Sequence, residues 1–141
     1  MIEKKEIIAS VNELNLVSEY LYEILDKNCI IFLNGNLASG KTTLVSHIVG
    51  SLSLDSSVTS PTFTIQHLYG DNLYHYDLYR IETSDIFSLG IIEEFDKEGW
   101  HFIEWGGDTL ERFLKSVDYT VVKIDIEPHL HERKYIIEKV S

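Results

Sequence analysis

One cysteine, two prolines and twelve cationic side chains are all that this 141-residue chain holds of those three kinds. A lone cysteine excludes an internal disulfide framework. Cys29 falls in the apolar run Cys29-Ile30-Ile31-Phe32-Leu33, and no basic residue adjoins it to activate the thiolate, so a buried packing role is expected. Only Pro61 and Pro128 occur, and the eight glycines are scattered, which leaves no Pro- or Gly-rich linker, no repeat and no low-complexity tract. A single domain over residues 1–141 is the expectation. No stretch approaches the roughly 18–20 uncharged apolar residues that span a bilayer. The opening Met1-Ile2-Glu3-Lys4-Lys5-Glu6 also lacks the apolar core of a signal peptide, so a cytoplasmic protein without membrane contact is expected. Twelve Lys and Arg face 23 Asp and Glu, a net charge of −11. That field repels a phosphodiester backbone and disfavours autonomous binding of nucleic acid, while it would assist a protein partner with a basic face. Solubility alone is the plainer account of the acidity.

What is present reads as alternating helices and strands. Leu14, Val17, Leu21, Ile24 and Leu25 recur at helical spacing, giving an amphipathic helix over Val11 to Leu25 with Ser10 or Asn12 as its cap. Cys29 to Leu33 reads as a strand buried on both faces. Leu44, Val45, Ile48, Val49 and Leu52 predict a helix from Thr42 to Leu52. Thr62 to Tyr69 and Leu73 to Asp77 are β-rich around Gly70-Asp71-Asn72, which predicts an antiparallel hairpin. A short helix over Ser84 to Gly90, a strand over Trp100 to Glu104, a helix over Asp108 to Lys115 capped by Asp108, and strands over Tyr119 to Ile126 and Lys134 to Val140 complete the pattern. The fold class is α/β: three layers around a mixed, largely parallel central sheet, with a ligand at the strand C-termini.

Between the first buried strand and its helix lies Gly35-Asn36-Leu37-Ala38-Ser39-Gly40-Lys41-Thr42, a match to Gly-x-x-x-x-Gly-Lys-Thr. Phosphate binding needs several backbone N–H groups aimed at one point, with close backbone approach at Gly35 and Gly40 and the positive end of a helix behind them. Lys41 then reaches the β and γ phosphates of ATP or a relative, and the Thr42 hydroxyl is placed to ligate Mg²⁺. Such a site needs an acidic group for the metal, and Asp77 and Glu104 both end predicted strands. Each is either a metal residue or a solvated strand end. A P-loop NTPase-like domain follows.

Four motifs in register narrow this further: Gly35 to Leu44, Ser60-Pro61-Thr62-Phe63-Thr64, Tyr74-His75-Tyr76-Asp77-Leu78-Tyr79-Arg80, and Ile103-Glu104-Trp105. In order and spacing, across nearly the whole chain, they resemble the TsaE family, also called YjeE. The resemblance implies an ATPase that works with TsaD and TsaB to place threonylcarbamoyl on adenosine 37 of tRNAs reading ANN codons, without transferring the group itself and meeting tRNA only through the complex. It implies nucleotide contacts along Gly35, Asn36, Leu37, Ala38, Ser39, Gly40, Lys41, Thr42 and Thr43, with Arg133 beside them. Thr42 and Glu104 would hold Mg²⁺, Asp77 would assist metal or water, Lys41 would join Asp77 and Glu104 as the catalytic set, and Ser60 to Thr64 would form a switch-like loop.

Departures from the family pattern stand at Asn36 and Ala38, where Asp and Gly are usual, and at Gly106-Gly107, where Pro and an acidic or amide residue follow the tryptophan. Pro61 stiffens a turn that presents hydroxyls at Thr59, Ser60 and Thr62, or merely enters a strand. Trp105 packs over the site, faces a partner, or is partly buried like any tryptophan. Arg80 reads as an ion pair before a transition-state group, and His129 and His131 as a solvated loop before a zinc site. No Asn-Lys-x-Asp motif marks a guanine site, and Asp96-Lys97-Glu98-Gly99 precedes a predicted strand, as a turn does. Two other functions remain open: a small-molecule kinase, short of the mobile cations that phosphoryl transfer wants, and a nucleotide-dependent binding module that hydrolyses little.

Overall fold

The computed structural model describes residues 3–36, 38–54 and 65–141. In chain order it holds β1 (Glu3–Ala9), a 3₁₀ turn (Val11–Glu13), α1 (Asn15–Ile24), β2 (Cys29–Asn34), α2 (Lys41–Ser51), β3 (Gln66–Tyr69), β4 (Leu73–Asp77), α3 (Thr83–Ser88), α4 (Ile91–Glu94), β5 (Trp100–Glu104), α5 (Gly107–Ser116), β6 (Val121–His129) and β7 (Glu132–Lys139). The strands form one seven-stranded sheet in the order β1-β7-β6-β2-β5-β4-β3. Its centre, β6-β2-β5-β4, is parallel throughout, and the pairs β1–β7, β6–β7 and β3–β4 are antiparallel.

β2 is the middle of the sheet because its side chains are apolar on both faces. Ile31 and Leu33 pack with Val17 and Leu21 of α1 and Leu44, Val45 and Ile48 of α2. Ile30 and Phe32 face the other way, onto Ile86, Ile91, Leu110 and Leu114 of α3, α4 and α5. Burying each such side chain contributes about 2 kcal/mol. The result is the expected three-layer α/β arrangement. Because β2, β5 and β4 run parallel, with Leu33 in register with Glu104 and Glu104 with Asp77, the C-terminal ends of three strands line up in one row.

Several local expectations change. Glu3–Ala9 is a strand that the sequence reading missed, an edge strand whose first four residues are charged and carry no apolar alternation. The first helix is broken into a 3₁₀ turn and α1. Ser10 precedes the former, its N–H donating to Glu13 Oε1 at 3.0 Å, and Leu14 precedes α1. Asp108 is not a cap: α5 starts at Gly107 after Gly106, and Asp108 lies in its first turn, where a carboxylate meets the positive end of the helix. Thr62 to Thr64 of the expected hairpin lie outside the described residues. Cys29 is buried, and burial pushes its thiol up to about 12, in keeping with a packing role. Among the described residues no helix is long and apolar enough to cross a membrane.

Candidate nucleotide-binding site

The loop between β2 and α2 is shaped by its two glycines. A Cβ on Gly35 would stand 2.5 Å from Ser39 Oγ, so the loop closes on itself only without one. Gly40, at φ +103°, is in a region closed to other residues, and a Cβ there would meet Arg133 Nη1 at 2.5 Å. The Leu44 N–H donates to the Gly40 carbonyl at 3.0 Å and starts α2 directly behind the loop. Arg133 Nη2 reaches across from β7 to donate to the Ala38 carbonyl at 3.3 Å. Ala38 itself holds φ +62°, a left-handed conformation kept without glycine's freedom. Leu37 lies outside the described residues.

Lys41 is 4% exposed. Its Nζ donates to the carbonyls of Gly35 at 2.7 Å and Asn36 at 3.0 Å, and sits 4.1 Å from the centre of the Trp105 ring. Burial pulls the ammonium below its ordinary value, and the charges of Glu104 and Asp77 only partly oppose this. Trp105 adopts φ +61°, unusual for a bulky side chain, and its ring also lies 5.0 Å from that of Tyr79.

Glu104, 4% exposed, is the polar centre of the site. Its Oε2 accepts from the Thr42 hydroxyl at 2.7 Å and lies 2.5 Å from His75 Nε2. Burial works to raise the carboxyl, but the bonds from His75 and Thr42 and the nearby charges of His75 and Lys41 outweigh it and hold the group below the usual carboxylate range. Asp77, in register one strand over, is exposed and accepts from the Tyr79 N–H at 3.1 Å. Ala38 to Thr43, Asp77, Tyr79, Glu104, Trp105 and Arg133 line one cleft of about 410 Å³. A second cleft of about 550 Å³ adjoins the other side of the loop, walled by Ser10, Val11, Asn36, Ser39, Leu130 and Arg133 among others.

The structure thus brings together Gly35, Asn36, Ala38, Ser39, Gly40, Lys41, Thr42, Thr43, Asp77, Glu104 and Arg133, residues far apart in sequence. Ser60 to Thr64 lie outside the described residues. His75 is a site residue that sequence reasoning passed over: it sits inside the Tyr74-to-Arg80 motif, and a histidine two positions before a strand-end carboxylate was the available signal. Arg80 makes no ion pair among the described residues; its guanidinium lies 5.9 Å from the Tyr79 ring. His129 and His131 flank an exposed turn, and no group of three metal-ligating side chains forms among the described residues. The donor set suits Mg²⁺ nonetheless, because that ion takes one or two hard protein oxygens and completes its shell from water and phosphate. The Ser39 hydroxyl, buried and without a partner among the described residues, is a donor set within the loop.

A family model described as "Threonylcarbamoyl adenosine biosynthesis protein TsaE" matches residues 8–135. The chain belongs to the TsaE family. Similar proteins carry the name "tRNA threonylcarbamoyladenosine biosynthesis protein TsaE". One from Treponema pallidum is 37% identical over 102 residues, covering 70% of this chain and 73% of that one. One from Nostoc sp. is 42% identical over 74 residues, half of this chain and 46% of its own length. One from Bacillus subtilis is 39% identical over 79 residues, 54% of this chain and 49% of the relative. The match therefore spans only about half the length of several TsaE relatives. The crystal structure of Bacillus subtilis YdiB superposes with a TM-score of 0.68 over all of this chain and 88% of that one, at 23% identity, a likeness of fold. The matched family region runs from β1 into β7 and takes in every described residue of the cleft.

Proposed function

We propose that this chain binds ATP with Mg²⁺ in the Lys41–Glu104 cleft and hydrolyses it slowly, as the ATPase subunit that supports TsaD and TsaB in threonylcarbamoylation of adenosine 37 in tRNAs reading ANN codons. The observation that carries the reading is the meeting of Thr42 and Glu104 at the start of α2, 2.7 Å apart, beside a buried lysine. Lys41 leaves the Gly35 and Asn36 carbonyls and turns its charge to the β and γ phosphates, while the loop N–H groups and the positive end of α2 hold the remaining oxygens. Thr42 and Glu104 would hold Mg²⁺, with Asp77 beside them, and an ion held there would supply positive charge to the phosphate oxygens. Arg133 lies along the loop edge between the two clefts, and the larger one, with Val11 and Leu130 exposed on its wall, takes the base and ribose.

Slow turnover follows from what lines the chemistry. Among the described residues Arg133 is the one guanidinium of the cleft, and it is tied to the Ala38 carbonyl. Partner binding that frees or adds a cation raises the rate, and tRNA is met only through the complex, as a net charge of −11 favours. The test is hydrolysis of ATP by the purified chain with and without reconstituted TsaD–TsaB, with Glu104→Ala as control. Stimulation that the variant abolishes is the expected result. Turnover at tens per second by the chain alone, or a rate that partners leave unchanged, would contradict the auxiliary role.

A further inference from the structure

His75 has no part in the mechanism above, yet it makes one of the closest polar contacts of the site. It stands in β4 at 5% exposure, with Nε2 2.5 Å from Glu104 Oε2. The same oxygen accepts the Thr42 hydroxyl at 2.7 Å. An ionised carboxylate only accepts, so the hydrogen between them belongs to His75 Nε2, and the imidazole is the donor. Two donors on one oxygen fix the rotation of the carboxylate and leave Oε1 outside both bonds. They also commit the Thr42 proton to Glu104, which leaves the lone pairs of Thr42 Oγ1 for another partner.

We propose that His75 is a positioning residue for the nucleotide-bound cation: by donating to Glu104 Oε2 it sets the carboxylate so that Thr42 Oγ1 and Glu104 Oε1 together receive the metal. The inference rests on the nucleotide reading of this cleft and assigns a role within it. Outer partners of this kind orient ligands, and their loss lowers metal affinity by roughly 10- to 100-fold. The phosphate contacts of Gly35, Gly40 and Lys41 do not pass through His75, so nucleotide binding without metal is untouched by it. A histidine that merely filled space between β4 and its neighbours would affect stability and leave metal dependence alone.

The experiment is calorimetric titration with a non-hydrolysable ATP analogue, in EDTA and in excess Mg²⁺, on the intact chain and on His75→Leu and His75→Gln. Expected are unchanged affinity in EDTA, a loss of roughly 10- to 100-fold in the Mg²⁺-dependent gain for His75→Leu, and recovery of most of it in His75→Gln, whose amide donor reaches the place of Nε2. A His75→Leu protein that keeps the full Mg²⁺ gain, or a folded His75→Gln protein that recovers none, would overturn the role. Should His75→Leu fail to fold, ring ¹⁵N NMR of the unmodified chain decides. A protonated Nε2 whose signal responds to the analogue with Mg²⁺ but not in EDTA supports the proposal, and an unprotonated Nε2 refutes it. An unmodified chain that bound no nucleotide in either condition would overturn the nucleotide reading and this one with it.

Discussion

Lys41→Met separates what the buried lysine does for the folded chain from what it does for a ligand. In the free protein Lys41 is 4% exposed, its Nζ donates to two carbonyls, and burial disfavours its charge. Methionine keeps the length and apolar stem, loses two charge-assisted bonds and removes the desolvation, so the opposing effects leave stability within about 1 kcal/mol. With triphosphate bound the balance differs. One ammonium about 4 Å from a phosphate charge gains about 4 kcal/mol at the effective dielectric of a partly buried pair. Giving up the Gly35 and Asn36 carbonyls returns part of that, leaving about 3 kcal/mol, or roughly a 150-fold rise in Kd. Calorimetric titration of ATP into both proteins reads the affinity, and thermal unfolding without ligand reads the stability. A Kd within about threefold of the unmodified chain would refute the assignment of Lys41 to the phosphates. Lost binding accompanied by a collapse in Tm would show that the lysine serves the fold instead.

Two further predictions test other parts of the account. Ala38→Gly relieves a left-handed alanine and should stabilise the free protein by about 1 kcal/mol, read as a higher denaturant midpoint; a midpoint that falls would show that the loop does not hold φ +62° in solution. His101, 1% exposed and bonded to Tyr76 Oη at 2.8 Å and the Lys97 carbonyl at 2.8 Å, is pushed down to about 4, chiefly by burial. The unfolded chain takes up that proton near pH 6.5 and the folded one only near 4, so stability present above pH 6.5 is lost as pH falls between them, by about 3 kcal/mol. His101→Gln should flatten the acid limb over that window, and identical slopes in chemical denaturation at pH 6.5, 5 and 4 would contradict it.

The parts of the fold legible in the sequence are those whose chemistry is local. β2 is apolar at five consecutive positions, β5 was delimited at Trp100 and Glu104 by its own composition, and the loop between β2 and α2 is written in two glycines, a lysine and a threonine. β1 was not legible, because an edge strand beginning Glu-Lys-Lys-Glu is held by backbone pairing to β7 and by Ile7 and Ala9 at its end. Asp108 has the residue type of a cap but not the geometry, since two glycines ahead of it let α5 begin earlier. In the site, Asp77 and Glu104 could be seen as strand ends, but not as neighbours. Their adjacency comes from the parallel register of β4 and β5, set by residues buried along both strands. The contact of His75 with Glu104 is likewise a product of that register. Arg133 stands beside the loop because β7 returns antiparallel along β6, which no local pattern near residue 133 states.

The central claim is that the cleft between Lys41 and Glu104 holds Mg²⁺ and a nucleoside triphosphate. It is tested most directly by amide NMR of the ¹⁵N-labelled chain titrated with Mg²⁺ and a non-hydrolysable ATP analogue. The account predicts saturable shifts concentrated at Gly35 to Thr43 and at Glu104 and Trp105, with smaller ones at Val11 and Leu130. Shifts absent from the loop after β2, or confined to the far end of the sheet, would contradict it.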